Sequence, residues 1–157
     1  MKALVIYDSV FGNTEKIAQA IGNVVGAKKD VIVKRVIDVN EKDLEGLDLL
    51  VVGSPTRGFR PIESISKFLK SLPAGSLQGL KAAAFDTRIP LGSIHSKIFR
   101  FIVKTGGYAA PLIAKELGRK GSTVIAEPEG FFVEESEGPL VNGELERAAK
   151  WGKQLCS

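Results

Sequence analysis

The stretch from residue 4 to residue 17 limits the possible folds of this chain more than any other part of it. Leu4–Ile6 is an apolar, largely β-branched run of the kind found in a parallel strand covered on both faces. From Ile17 onward the apolar residues recur at helical spacing. The loop Ser9–Thr14 between them contains no Lys or Arg, and its small residues are Ser9, Gly12, Asn13 and Thr14. The pattern predicts a buried strand, a tight turn and an amphipathic helix.

The turn in this stretch has the chemistry of an anion-binding loop. Backbone N–H groups at the start of a helix, together with small hydroxyl side chains and the positive end of the helix dipole, attract a phosphate group. The same residue types also form an ordinary helix N-cap. The loop by itself leaves both interpretations open.

Composition excludes several classes of protein. The length of 157 residues predicts one domain, spanning residues 1–157. No apolar run approaches the roughly 18 residues of a membrane span, and we expect no signal peptide, because the first predicted strand begins within the first few residues. The single cysteine, Cys156, cannot form an internal disulfide, which is typical of a reducing cytoplasm. With one His and one Cys, we predict no metal site.

The net charge of +4 is a mild excess of 22 basic over 18 acidic residues. The charges are mostly interspersed, and no basic block alternates with aromatic residues, so we predict no nucleic-acid partner. Gly12-Asn13-Thr14 lacks the Lys of a P-loop, and no G-x-G-x-x-G fingerprint follows the first strand. Ser54 stands where a receiver domain would need a phosphorylatable Asp.

Strands and helices alternate along the rest of the chain, which predicts an α/β fold with a three-layer, doubly wound, five-stranded parallel sheet. The predicted strands are Leu4–Ile6, Val31–Val36, Leu47–Gly53, Lys81–Phe85 and Ser122–Ala126. Predicted helices lie after Ile17, over Glu41–Leu44, around Ile65 to Leu72, over Ile94–Lys104, over Pro111–Leu117 and from Asn142 onward. We expect the last helix to bury Leu145, Ala149 and Leu155 and the core to contain Tyr7, Phe85 and Trp151, with His95 at the surface.

Three loops would meet if the strand order is 2-1-3-4-5, because strands one, three and four are then neighbours. The loops are Ser9–Thr14, Ser54–Phe59 and one that begins with Asp86–Arg88. In doubly wound sheets, ligands bind beyond the carboxyl ends of the strands, where the strand order reverses. This edge is therefore the expected binding site.

Motifs in these loops resemble those of the flavodoxin family. Ser9-Val10-Phe11-Gly12-Asn13-Thr14-Glu15 is similar to the family's FMN phosphate loop. Gly53-Ser54-Pro55-Thr56, followed by Arg57-Gly58-Phe59, is similar to the second flavin loop. The resemblance in strand pattern covers essentially the whole chain and implies the flavodoxin-like order 2-1-3-4-5 with non-covalently bound FMN.

The same resemblance implies which residues contact the cofactor. Those assigned to the phosphate are Ser9, Gly12, Asn13 and Thr14, and Val10 and Phe11 of the same loop are counted among the cofactor-binding residues. Those assigned to one side of the flavin ring are Ser54, Pro55, Thr56, Arg57, Gly58 and Phe59, and those on the other side are Asp86, Thr87 and Arg88. FMN carries the chemistry in this family, so no catalytic side chain is assigned.

Departures from the family pattern keep two functions open. Phe11 replaces a usual hydroxyl residue, the chain is basic where family carriers are acidic, and the segment after Asp86 is long. Arg57 and Arg88 are either plain surface charges or cations that stabilise an anionic reduced flavin. The protein is then either an electron carrier between redox partner proteins or an FMN enzyme that uses NAD(P)H to reduce a small-molecule acceptor such as a quinone. A flavodoxin-like domain without cofactor is the third interpretation.

The stretch Ile94–Lys104 combines an apolar face with Lys97, Arg100 and Lys104. This pattern fits a lid over the flavin, a homodimer contact or a basic amphipathic surface segment.

Overall fold

A parallel sheet forms the centre of the computed structural model, which describes residues 1–90 and 107–157. Its strands are β1 (Ala3–Tyr7), β2 (Val31–Arg35), β3 (Leu49–Arg57), β4 (Arg60–Pro61), β5 (Lys81–Arg88), β6 (Thr123–Val124) and β7 (Glu129–Phe132). The α-helices are α1 (Asn13–Gly22), α2 (Glu63–Ser71), α3 (Ala109–Arg119) and α4 (Glu144–Gln154). The predictions for Ile94–Lys104 and His95 lie outside the described residues.

The strand order β2-β1-β3-β5-β6 confirms the predicted topology. The fifth predicted strand, Ser122–Ala126, is shortened to β6, and β7 follows it; both pair in parallel with β5, β6 near its start and β7 near its end. Pro128 lies between the two pieces, where its missing N–H group cannot join the ladder. β4 adds a short antiparallel pairing to β3 that was not predicted.

Alternation along the strands sends successive side chains to opposite faces and creates two apolar cores. Leu4 and Ile6 of β1 belong to the core that α2 and α3 cover. Val5 and Tyr7 belong to the core that α1 and α4 cover. The central strands β1, β3 and β5 are buried on both faces over most of their length, so they read as continuous apolar runs, and the fold has the three layers that the sequence predicts.

Phe85 occupies the middle of the second core. Its ring makes edge-to-face contacts with Phe131 and Trp151, with centroid distances of 6.1 and 6.3 Å. Gly53 lies opposite Phe85 in the strand pairing, and a Cβ added there would lie 2.0 Å from Phe85 Cζ. The ring therefore occupies the space that a side chain at position 53 would need. The burial of Tyr7, Phe85 and Trp151 confirms their predicted place in the core.

The predicted helices agree with the structure in part. The short helix predicted over Glu41–Leu44 is confirmed as a 3₁₀ helix, and a capping box between Asn40 and Asp43 stabilises its start. The prediction that α4 buries Leu145 is wrong, because that side chain is 43% exposed. The helix begins at Glu144, and its inward face at 3.6-residue spacing carries Ala148, Trp151 and Leu155.

Two predicted loops are continuations of strands. β3 extends through Ser54 to Arg57, and β5 extends through Asp86 to Arg88. Ser54 and Pro55 of β3 pair with Asp86 and Thr87 of β5. The polar ends of both strands are therefore held in fixed register at the edge where the binding site was predicted.

Candidate functional site

A cleft opens at the carboxyl ends of β1, β3 and β5. The described residues that line it are Ser9, Val10, Phe11, Asn13, Thr14, Pro55, Thr56, Arg57, Thr87, Arg88, Ile89, Val133 and Ser136. Residues from all three predicted segments therefore meet in one place.

The first loop turns at Gly12, whose φ of 93° is a left-handed conformation that favours glycine. The Ser9 hydroxyl accepts a hydrogen bond from the Gly12 N–H group at 2.9 Å. No side chain in the described part of the protein caps α1. The N–H groups in the first turn of this helix are thus left for a ligand, and they lie at the positive end of the helix dipole.

An ion pair between Arg35 and Asp8 holds the start of the first loop in place. Arg35 Nη1 donates to Asp8 Oδ1 at 2.6 Å and to the Ser9 carbonyl at 3.0 Å, and the Ser64 hydroxyl donates to Asp8 Oδ2. Burial raises the pKa of Asp8, but hydrogen bonds from Ser64, Ser9 and Arg35 outweigh it and hold that pKa below its usual value. Asp8 is therefore a carboxylate that orders the loop at neutral pH.

Two buried side chains connect the first loop to the rest of the site. The Thr14 and Thr87 hydroxyls lie 2.8 Å apart and share a hydrogen bond. Asn13 Nδ2 donates to the Glu137 carbonyl at 3.1 Å. A Cβ at Gly138 would lie 2.8 Å from Asn13 Oδ1, so glycine lets the segment after β7 approach the loop closely.

The second predicted segment is a tight hairpin between β3 and β4. Its two turn residues, Gly58 and Phe59, both have positive φ, at 56° and 66°, which matches the twist of a two-residue hairpin. The Ser54 hydroxyl accepts from the Ile62 N–H group and donates to the Pro55 carbonyl. This side chain closes the hairpin at its base and is fully buried.

The third segment forms a buried ion pair. Arg88 Nε and Nη2 donate to the two carboxylate oxygens of Asp86, both at 2.7 Å, and the Ala110 N–H group donates to the same carboxylate. The guanidinium also lies 3.6 Å from the centroid of the Tyr108 ring. Burial raises the pKa of Asp86, although the Arg88 charge and these hydrogen bonds act in the opposite direction.

Asp86 and Thr56 share a structural role at the start of α3. The Thr56 hydroxyl accepts a hydrogen bond from the Ala109 N–H group at 3.0 Å, beside the bond from Ala110 to Asp86. These two bonds satisfy N–H groups that have no partner within the helix. The side chains join the ends of β3 and β5 to α3, which packs on the opposite side of the sheet from α1.

The predicted site residues fall into two groups. Those that line the cleft are Ser9, Val10, Phe11, Asn13, Thr14, Pro55, Thr56, Arg57, Thr87 and Arg88. Those that do not line it are Gly12, Ser54, Gly58, Phe59 and Asp86. Phe59, which was assigned to the flavin ring, does not line the cleft, whereas Phe11, 45% exposed, does.

Sequence reasoning missed Ile89, Val133 and Ser136, which also line the cleft. Ile89 directly follows β5, and the segment after β7 brings the other two across from the first loop. The only local signal is the polar, glycine-containing composition of residues 134–138, which predicts a loop without placing it.

The described residues include no group of three or more His, Cys, Asp or Glu side chains that could hold a metal ion. No helix within residues 1–90 or 107–157 is long and apolar enough to cross a membrane.

The fold and the cleft define a doubly wound α/β protein with a phosphate-type loop at the switch between β1 and β3. A flavodoxin from the domain Archaea superposes on 99% of this chain and 96% of its own, with a TM-score of 0.78 and 28% identity. Flavodoxin 1 of Bacillus cereus shares the fold with a TM-score of 0.75 over 99% of this chain and 97% of its own, at 22% identity.

The family model of the flavodoxin domain matches residues 4–88, and the chain belongs to the flavodoxin family. A flavodoxin of Maridesulfovibrio salexigens is 36% identical over an alignment of 89 residues that covers 54% of this chain. The match spans 61% of that relative's length. FMN is the cofactor of this family, which confirms the expected cofactor at the level of the family.

The residues at the cleft fit the phosphate group of FMN. The start of α1 is uncapped within the described residues, Gly12 adopts a left-handed turn, and a Cβ there would have no neighbour within 4 Å. Such a loop can bind a phosphate through N–H groups and hydroxyls without a basic side chain. The buried Thr14 hydroxyl also lies at this edge of the cleft.

Proposed function

We propose that this protein binds FMN in the cleft and passes electrons between redox partners, in the reducing cytoplasm that its single cysteine favours. The observation that carries this proposal is the convergence of the ends of β1, β3 and β5 on one cleft, at the start of a helix that no side chain among residues 1–90 and 107–157 caps. FMN, when bound, supplies one- and two-electron redox chemistry. The polypeptide would bind FMN, limit the access of water to it and determine the charge around it.

The proposed roles follow from what each side chain already contacts. Ser9, Asn13 and Thr14 lie where backbone N–H groups and hydroxyls would hold the phosphate. Pro55 and Thr87 line the same cleft on adjacent strands, where they would flank the ring. Ser54, Thr56 and Asp86 act indirectly, because their polar atoms are bound to the hairpin and to α3.

A second candidate is an FMN enzyme that takes electrons from NAD(P)H and reduces a small molecule such as a quinone. Arg57 and Arg60 favour it, because both are exposed cations on the hairpin beside the cleft. Such cations suit the pyrophosphate of an anionic dinucleotide. A homodimer would be compatible with either function and is tested by sedimentation.

Titration of the flavin-free protein with FMN tests the proposal. We expect one FMN per chain, with quenched flavin fluorescence and a resolved absorption band of protein-bound flavin. No binding at micromolar protein and FMN would contradict it. Anaerobic addition of NAD(P)H to the loaded protein then separates the two functions, because direct bleaching favours the enzyme and reduction only through a partner reductase favours the carrier.

Phe11→Thr should tighten FMN binding by about 1 kcal/mol, or roughly fivefold, because it restores a hydroxyl in the phosphate loop. Phe11→Ala separates this gain from the loss of the ring, which lies 5.7 Å from the Arg57 guanidinium. Ile37→Thr, at a site 81% exposed, is the control for placing a hydroxyl elsewhere on the surface. Equal Kd values for the Thr and Ala variants at position 11 would show that N–H groups already suffice.

Arg57→Gln should lower the reduction potential of bound FMN, because a cation at the cleft stabilises the anionic reduced flavin. A positive charge about 10 Å from the negative charge of the reduced flavin, at an effective dielectric constant of about 20, shifts the potential of a two-electron couple by an amount on the order of 30 mV. Arg60→Gln is the matched control, since Arg60 lies on the same hairpin but does not line the cleft. An unchanged potential for Arg57→Gln in a redox titration would contradict this role.

A further inference from the structure

A second concave surface begins where the cleft ends. Val10 and Arg57 line both the cleft and a groove of about 840 Å³ that runs between α2 and α3. Ile62 and Leu69 are among the apolar residues that line it. A molecule seated in this groove would therefore reach the entrance of the cleft.

The groove carries a concentrated positive charge. The basic side chains among the described residues that line it are Arg57, Arg60, Lys67, Lys70, Lys115 and Arg119, all exposed. The two acidic residues there, Glu63 and Glu116, each form an ion pair with one of these cations. Six basic against two acidic side chains leave an excess of four, which equals the formal net charge of +4 of the whole chain. The remaining basic and acidic residues of the protein balance in number.

We propose that the α2–α3 groove is the docking surface for an acidic redox protein, whose redox centre is thereby brought beside the cleft. The inference rests on the proposed electron-transfer function and names the chemical class of its partner. Opposite charge steers a partner to the groove and increases its rate of association. Val10 and Leu112 are 51% and 40% exposed and provide the apolar contacts that a charged rim would surround.

Other occupants fit these observations less well. A second copy of the chain would bring like charges together, which is unfavourable. Single-stranded nucleic acid is normally bound with aromatic side chains on which bases stack. The groove residues that the structure describes include no aromatic side chain.

The test compares two variants of equal net charge. The groove variant carries Lys67→Gln, Lys70→Gln, Lys115→Gln and Arg119→Gln, with Arg57 left in place. The control variant carries Lys28→Gln, Lys29→Gln, Lys150→Gln and Lys153→Gln, four exposed residues that do not line the groove. Thermal unfolding and FMN titration establish that both are folded and loaded before either is used.

The probe is a small acidic iron–sulfur ferredoxin, whose binding is measured by biolayer interferometry and whose electron transfer to bound FMN is measured by stopped-flow absorption. We expect the wild-type association rate to fall as salt rises. At low salt, we expect the association rate of the groove variant to be about tenfold or more below that of the wild type. The association rate of the control variant should be less than about twofold below it.

The two readouts separate failure of the docking surface from failure of the proposed function. Equal binding and electron-transfer rates in the two variants, with efficient reduction of FMN, would overturn the docking surface and leave electron transfer intact. Groove-dependent binding without reduction of FMN would support the surface and contradict electron transfer. Self-association of the wild type that only the groove variant abolishes would assign the groove to a second copy and overturn the proposal.

Discussion

Replacing Arg88 with Met should lower the free energy of unfolding by about 3–5 kcal/mol at neutral pH, because it leaves a buried carboxylate without its counter-charge. Asp86 is fully buried, and Arg88 supplies two of its hydrogen bonds. The bond from the Ala110 N–H group remains, but it does not neutralise the charge. Urea denaturation at pH 7 measures the loss.

The deficit should shrink as the pH falls. Burial already raises the pKa of Asp86 above its usual value, and removing the guanidinium raises this pKa further. A folded-state pKa above that of the unfolded chain means that the folded variant binds a proton more readily. The variant therefore gains stability relative to the wild type as the pH falls through that raised pKa.

Two further variants test the cause of the Arg88 effect. Adding Asp86→Asn to Arg88→Met should recover part of the loss and abolish its dependence on pH, because the amide still accepts from Ala110 but carries no charge. Arg119→Met is the control, since Arg119 is 60% exposed in its pair with Glu116, and its loss should be below about 1 kcal/mol. A deficit that is independent of pH and unchanged by Asp86→Asn would contradict the explanation.

Phe85→Ala should also lower the free energy of unfolding by about 3–5 kcal/mol. Its ring is fully buried, packs against Phe131 and Trp151 edge to face, and covers the backbone of Gly53. Removing the ring leaves a cavity in the core between the sheet and the helices α1 and α4. Chemical denaturation of the variant provides the measurement.

The contact between Phe85 and Gly53 predicts a strong coupling between the two positions. Gly53→Val alone should destabilise by about 1–3 kcal/mol, because its side chain would overlap the Phe85 ring. In the Phe85→Ala background the same substitution fills part of the cavity and should cost less or stabilise. A double-mutant cycle measures this coupling, and strictly additive effects would show that the two sites do not share space.

The predictions for Arg88 and Arg57 give these two cleft residues different roles, one in stability and the other in the potential of FMN. Arg88 is 16% exposed at its side chain and fixed by Asp86 and Tyr108, so its removal disturbs folding. Arg57 is exposed on the hairpin, where its contact with the Phe11 ring is easily lost. Changes at Arg57 can therefore report on FMN without the loss of stability that changes at Arg88 would bring.

Sequence reasoning predicted the strands and the doubly wound sheet from local signals, and it predicted the strand order from the resemblance of the loop motifs to those of the flavodoxin family. Continuous apolar runs such as Leu49–Val52 predict strands buried on both faces, and alternation of strand and helix predicts the doubly wound sheet. Once the order is known, the carboxyl ends of β1, β3 and β5 must lie together. Gly12 and the small polar residues around it mark the turn for the same local reason.

The roles of individual polar side chains required the tertiary structure, because they depend on the direction of each side chain and on partners distant in sequence. Asp86 and Thr56 were expected to face the flavin, yet their oxygens bind the start of α3. Val133 and Ser136 reach the cleft only because the segment after β7 packs against Asn13. No local periodicity carries this information.

From its sequence alone, this protein was a doubly wound α/β chain with a phosphate-type loop after its first strand, because hydrophobic spacing and turn residues act over a few positions. The tertiary structure decided which side chains face the cleft and which support it. It also gathered a mild charge excess into one groove, by placing α2 beside α3, although about forty residues separate them in the chain. Long-range packing creates such a surface, and only the folded chain brings its charges together.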